Sequence, residues 1–93
     1  MSNEKVIKKF LEQEKAQTPL RDIVNSYGCY TYKGRTLYTR DNELINYSTR
    51  IAYIKDKTLY INVKKYSSTT SHIQSKLKQL ASLTDYDIVE YQE

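Results

Sequence analysis

One cysteine, one proline, two glycines and no tryptophan remove several classes of protein before any residue is placed. The single thiol, Cys29, cannot close a disulfide within the chain. Without a CxxC pair or a Cys/His cluster there is no zinc-ligand spacing, and one thiol suits a reducing compartment. Two glycines supply no glycine-rich loop to cradle a nucleotide. No apolar run approaches the roughly 20 residues of a membrane span, and Met1-Ser2-Asn3-Glu4-Lys5 reads as leading into an amphipathic helix, so no signal peptide is expected. A cytoplasmic protein without membrane contact is the expectation. No Ser-His-Asp or Cys-His order points to a nucleophile, so no catalytic residue, cofactor or metal is assigned.

What the chain does have is tyrosine, ten of 93 residues, with one phenylalanine. Tyrosine suits pleated sheets and contact surfaces, because it combines a large rigid area with a polar tip. Hydrophobic residues make up 39% of the chain, enough for one core layer in a single domain spanning 1–93 but not for a deep enzyme interior. The net charge of +4 is spread along the chain. It permits an acidic partner and argues against an acidic mimic of DNA.

Residues Asn3 to about Lys15 read as a helix with Val6, Ile7, Phe10 and Leu11 on one face, capped by Asn3 or Ser2. Thr18-Pro19 has the form of a second helix start, with Leu20, Ile23, Val24 and Tyr27 as its stripe and Gly28 as its stop. The reading is therefore a helical segment over 1–28 and a sheet with one further helix over 29–93. From Cys29 the period changes to two. Cys29 to Lys33 and Thr36 to Arg40 flank Gly34 as a hairpin; Glu43 to Lys55 reads as one long strand with room for a bulge; Thr58 to Lys65 answers it across Asp56-Lys57.

Apolar burial selects the register of that last hairpin. Pairing Lys55 with Thr58 sets Ile54 opposite Leu59, Ala52 opposite Ile61 and Arg50 opposite Val63. One side becomes Ala52, Ile54, Leu59, Ile61 and Val63. The other becomes Tyr47, Thr49, Ile51, Tyr53, Tyr60, Asn62, Lys64 and Tyr66, and a slip of one residue would mix the sets.

Tyr66-Ser67-Ser68-Thr69-Thr70-Ser71-His72 joins this strand to a third helix, in which Ile73, Leu77, Leu80 and Ala81 form an apolar stripe. Ser71 with Gln74 fits a capping box, and Thr69 or Thr70 could cap instead. Asp85 to Tyr91 then reads as a closing strand, with Asp85 and Asp87 on one solvated face. The expected fold is α+β, with helices on one face of a mainly antiparallel four- to five-stranded sheet in the order α-α-β-β-β-β-α-β.

Three features could carry function. Ser67, Ser68, Thr69, Thr70 and Ser71 crowd a helix start, where unpaired N–H groups could hold an anion; capping explains the same residues. His72, the single histidine, would need Tyr66, Lys76 or a carboxylate in reach to act as the acid–base group of a small ribonuclease toxin. Tyr47, Tyr53, Tyr60 and Tyr66 with Asn62 and Lys64 make an aromatic-basic face. Such a face can stack single-stranded bases or anchor a protein partner, unless a second layer covers it. The Tyr32 to Leu37 stretch lacks the second glycine and the aromatics of an RNA-recognition motif. Arg21, Asp22, Asn25 and Ser26 are a thin set for a DNA-reading helix.

Tyr47 to Tyr53, Leu59 to Asn62 and, above all, Lys65-Tyr66-Ser67-Ser68-Thr69-Thr70-Ser71-His72 resemble a small domain of unknown function. That domain, with its Tyr-Ser-x-Thr-Thr-Ser motif, is scattered through phage, plasmid and mobile-element proteins of Gram-positive bacteria. The resemblance implies a setting rather than an activity: an accessory protein that binds and inhibits a host defence protein or ribonucleoprotein, as anti-CRISPR proteins do. Direct binding of single-stranded nucleic acid by the same face is the alternative.

Overall fold

The computed structural model describes residues 2–24 and 27–92, and for residues 21–24 and 30–33 the backbone alone. Helix α1 spans Asn3–Leu11, and Ser2 caps it by accepting from the Lys5 N–H at 3.3 Å. Val6, Ile7, Phe10 and Leu11 are its buried face, as their spacing requires. The helix stops short of Lys15 because Gln13 takes a positive φ of 60° and the chain reverses. Lys9 donates to Glu14 at 2.9 Å across that reversal. This hydrogen bond holds the Lys9 ammonium above, and the Glu14 carboxyl below, their usual ranges.

The described residues of the expected second helix do not form one. Thr18 spends its hydroxyl on the sheet instead, accepting from the N–H groups of Thr36 at 3.2 Å and Leu37 at 3.3 Å. Arg21–Val24 forms strand β1, paired antiparallel with β2 (Tyr30–Gly34) in a two-stranded ribbon. Gly28, at φ 79°, lies in their connection rather than at a helix end. The β-branched pair Ile23-Val24 and the alternation after Cys29 favour this outcome once Thr18 is engaged elsewhere. Asn25 and Ser26, candidates for the outer side of a second helix, lie outside the described residues.

The main sheet has the order β3 (Leu37–Arg40), β4 (Glu43–Asn46), β5 (Thr49–Lys55), β6 (Thr58–Asn62) and β7 (Asp87–Tyr91). Two pairings differ from expectation. Gly34 ends β2, so β3 pairs with β4 and not with the Cys29–Lys33 segment. The long strand from Glu43 to Lys55 is itself a hairpin, broken at Tyr47-Ser48, where Tyr47 has φ 57°. The main-chain N–H of Tyr47 and the side-chain amide of Asn46 both donate to the Thr36 carbonyl, at 2.8 and 2.7 Å, and hold that turn. Asp56 and Lys57 also have positive φ, the hairpin geometry that best matches strand twist, here achieved without glycine.

Helix α2 (Ser68–Ala81) crosses from β6 to β7, so these two strands are parallel and the sheet is mixed. The element order is α-β-β-β-β-β-β-α-β. Ile73, Leu77 and Ala81 of α2 join the α1 residues, Leu37, Leu44, Ile51, Ala52, Ile54, Leu59 and Ile61 in one core, with both helices on the same face of the sheet.

Buried polar contacts lock α2 to that face. Ser67, not Ser71, is the N-cap, accepting from the Thr70 N–H at 3.2 Å. The Thr70 hydroxyl donates to Asn46 Oδ1 at 2.7 Å. Gln74 donates to the main-chain carbonyls of Asn62 and Lys64 at 2.7 and 2.9 Å. Replacing Thr70 with valine keeps the volume but strands a buried acceptor, so urea unfolding should show a loss of about 1–3 kcal/mol with secondary structure retained.

Candidate partner-binding face

The expected β5–β6 register is the observed one: Lys55 with Thr58, Ile54 with Leu59, Tyr53 with Tyr60 and Ala52 with Ile61. It stops there. On its other side β5 carries a bulge, since Leu44 pairs with Ala52 while the next residue, Ile45, pairs with Arg50. The extra residue is Ile51. It turns into the core, fully buried, and Arg50 moves to the face opposite the helices. The expectation that put Ile51 outside and paired Arg50 with Val63 on the core side is thereby reversed. Consecutive apolar residues, Ile51-Ala52, break the alternation and were the available sign of a bulge.

On the outer face Tyr53 and Tyr60 stack, with ring centroids 4.5 Å apart and planes 11° from parallel. The Arg50 guanidinium lies 4.5 Å from the Tyr53 centroid. Tyr91 of β7 closes the group, 5.7 Å from Tyr53 and 5.9 Å from Arg50. Glu43 anchors it by accepting from Arg50 Nη1 at 3.2 Å, while its other oxygen accepts from Arg40. Both tyrosines remain half-buried rather than sealed, because the two helices pack on the other face. Arg50, Glu43 and Tyr91 were not candidates from sequence; the bulge and the parallel return of β7 bring them in.

The other candidates separate. Asn62 is 0% exposed and cannot meet a partner. It donates to the Arg50 carbonyl at 3.1 Å and to the Tyr66 hydroxyl at 2.9 Å, and it accepts from the Lys64 N–H, so it ties the end of β6 to the segment that follows. Tyr66 is 39% exposed, with the Lys64 ammonium 5.5 Å from its ring centroid. Tyr47 belongs to the β4–β5 turn and lines a depression of about 240 Å³ with Gln17, Gly34, Arg35 and Tyr38.

Within the hydroxyl cluster Ser67 and Thr70 are engaged in capping and in the Asn46 contact, Ser68 and Thr69 are exposed, and Ser71 is half-buried. His72 is exposed at a groove of about 410 Å³ that also has Glu4, Thr69 and Lys76 along it. Asp87 lies in β7, whereas Asp85 precedes it, and both are exposed. Among the described residues no group of three or more His, Cys, Asp or Glu side chains could hold a metal ion. No helix among them is long and apolar enough to cross a membrane.

Comparison with known protein families, curated proteins and solved structures gave no match.

A stacked pair with this geometry is coupled beyond the area each ring covers. Tyr53→Ala, Tyr60→Ala and the double variant should each stay folded and, in a double-mutant cycle of unfolding free energies, give a coupling of about 0.5–1.5 kcal/mol.

Proposed function

We propose that this chain is a non-enzymatic binding protein whose outer sheet face, centred on Tyr53 and Tyr60, docks onto a host protein or ribonucleoprotein. One observation carries the reading: a preformed Arg50–Tyr53–Tyr60 stack lies on the side of the sheet that the helices leave uncovered. Tyrosine and arginine are the residues that most often anchor protein interfaces, and a pre-ordered cluster loses little side-chain entropy on docking.

The same geometry favours protein over nucleic acid. Tyr53 already has Tyr60 stacked on it and a guanidinium over it, which leaves ring edges and hydroxyls, more than free faces, for a ligand. Arg50 is paired with Glu43, so its charge is not spare for a phosphate. Exposed Lys64 beside Tyr66 is the feature that keeps single-stranded nucleic acid as a second reading. The host-defence partner, and inhibition as the outcome, extend this reading from the mobile-element resemblance of the Tyr66 to Ser71 stretch.

The test is capture from host lysate with the intact chain and with a Tyr53→Ala/Tyr60→Ala chain, before and after nuclease treatment. A protein retained by the first chain, lost by the second and unaffected by nuclease is the expected result. Capture that the double variant leaves unchanged would remove the face from the mechanism. Binding to single-stranded oligonucleotides that weakens about tenfold or more between low and moderate salt would establish the second reading instead.

A further inference from the structure

The two edges of the main sheet are treated differently. Along β3 the segment Ala16–Thr18 runs as a partial extra strand: Thr18 N–H donates to the Leu37 carbonyl and Thr39 N–H to the Ala16 carbonyl, both at 2.9 Å, and Gln17 bridges to Tyr38. Among the described residues nothing comparable lies along β7. Its residues Asp87 to Glu90 are all exposed, and Ile88 and Val89 are each 43% exposed at its centre. A bare edge carries unpaired N–H and C=O groups in a row, which proteins normally blunt with charged side chains, lysine above all, or with proline or a bulge. Asp87-Ile88-Val89-Glu90-Tyr91 has no lysine or proline, and its five residues pair with β6 in unbroken register.

The hydrogen bonds of β7 determine which groups point outward. Asp87 N–H donates to the Lys57 carbonyl at 3.2 Å, and the Tyr91 carbonyl accepts from the Val63 N–H at 2.8 Å. Residues 87, 89 and 91 therefore face β6, and the N–H and C=O of Ile88 and Glu90 point away from the sheet. These are the donors and acceptors of one more strand.

We propose that this strand is β7 of a second copy of the chain, antiparallel to the first about a twofold axis at Val89. In that register Ile88 pairs with the partner copy's residue 90, and Glu90 with residue 88. All four outward N–H and C=O groups of each copy's pair are then used, and Val89 meets Val89 as the close, non-hydrogen-bonded pair. Charge selects this register over its neighbours. Asp87 faces a tyrosine and Glu90 an isoleucine, and Glu90 is already paired with Lys78 at 3.7 Å on the helix side. Sliding the twofold axis to Glu90 would set two glutamates opposite each other, which is repulsive. Moving it to Ile88 would leave Tyr91 outside the pairing. A symmetric edge contact of this kind is isologous and closes at two copies, joining two five-stranded sheets into one of ten strands. The proposal does not depend on what occupies the tyrosine face.

Sedimentation equilibrium over a concentration series should give, for the intact chain, a mass rising toward twice 11.0 kDa. Val89→Lys and Val89→Glu place like charges at the twofold axis, so each alone should raise the dissociation constant about tenfold or more. Mixed in equal amounts, they should recover the dimer, because lysine then faces glutamate. Ile88→Pro, which removes an outward N–H and leaves the ladder to β6 intact, should also dissociate it, with circular dichroism unchanged. An intact chain that stays monomeric throughout, a dimer indifferent to all three substitutions, or a mixture that fails to re-form would each overturn the assignment.

Discussion

The bulge at Ile51 turns β5 over between its two ends, and both sides of the protein depend on it. Without the extra residue, regular alternation would send Arg50 toward the helices and Ile51 toward solvent. A guanidinium in that apolar layer would lose its hydration with no carboxylate at hand, while a large aliphatic would be lost from the core. With it, Ile51 is fully buried among the core aliphatics, and Arg50 reaches both Glu43 and the Tyr53 ring. The carbonyl of Arg50, which would have paired in a longer ladder, accepts from the Asn62 side chain instead. One inserted residue thus links the packing of the core, the composition of the outer face and the place where β6 stops.

The polar contacts around the β6–α2 connection perform a related task. Asn46, Asn62, Thr70 and Gln74 are all buried, a costly choice unless each is satisfied. They bond to one another, to nearby main-chain groups and to the Tyr66 hydroxyl, which leaves α2 one way to sit on the sheet. That seating decides where β7 returns, and so where Tyr91 meets the Tyr53 ring. The hydroxyl-rich stretch at the start of α2 is accounted for in part by this seating, through Ser67 and Thr70.

Much of the fold could be read from residue order, and the failures share a cause. The stripes of α1 and α2, the closing strand and the β5–β6 register all follow from local periodicity, which needs nothing beyond neighbouring residues. The turns were harder. Among the described residues Gln13, Asp41, Tyr47, Asp56 and Lys57 reverse the chain at positive φ without glycine, so the break at Tyr47-Ser48 carried no glycine signal. Thr18-Pro19 carried a clear local signal for a helix, but contacts with Thr36 and Leu37, distant in sequence, took the threonine hydroxyl that would have capped it. Of the candidate face, Tyr53 and Tyr60 were legible because they pair directly. Asn62 was placed on the correct side of its strand, but nothing in its neighbours showed that the chain would fold Tyr66 back over it.

Amino-acid order alone determined that this chain builds a sheet with aliphatic and aromatic residues on opposite sides and helices against the aliphatic one, because side-chain period and burial are local quantities. Tertiary structure decided which residues stand beside the tyrosines and which edge of the sheet the Ala16–Thr18 segment covers. Those outcomes depend on a bulge, a parallel crossover and hydrogen bonds between segments far apart in the chain, and local pattern carries none of them.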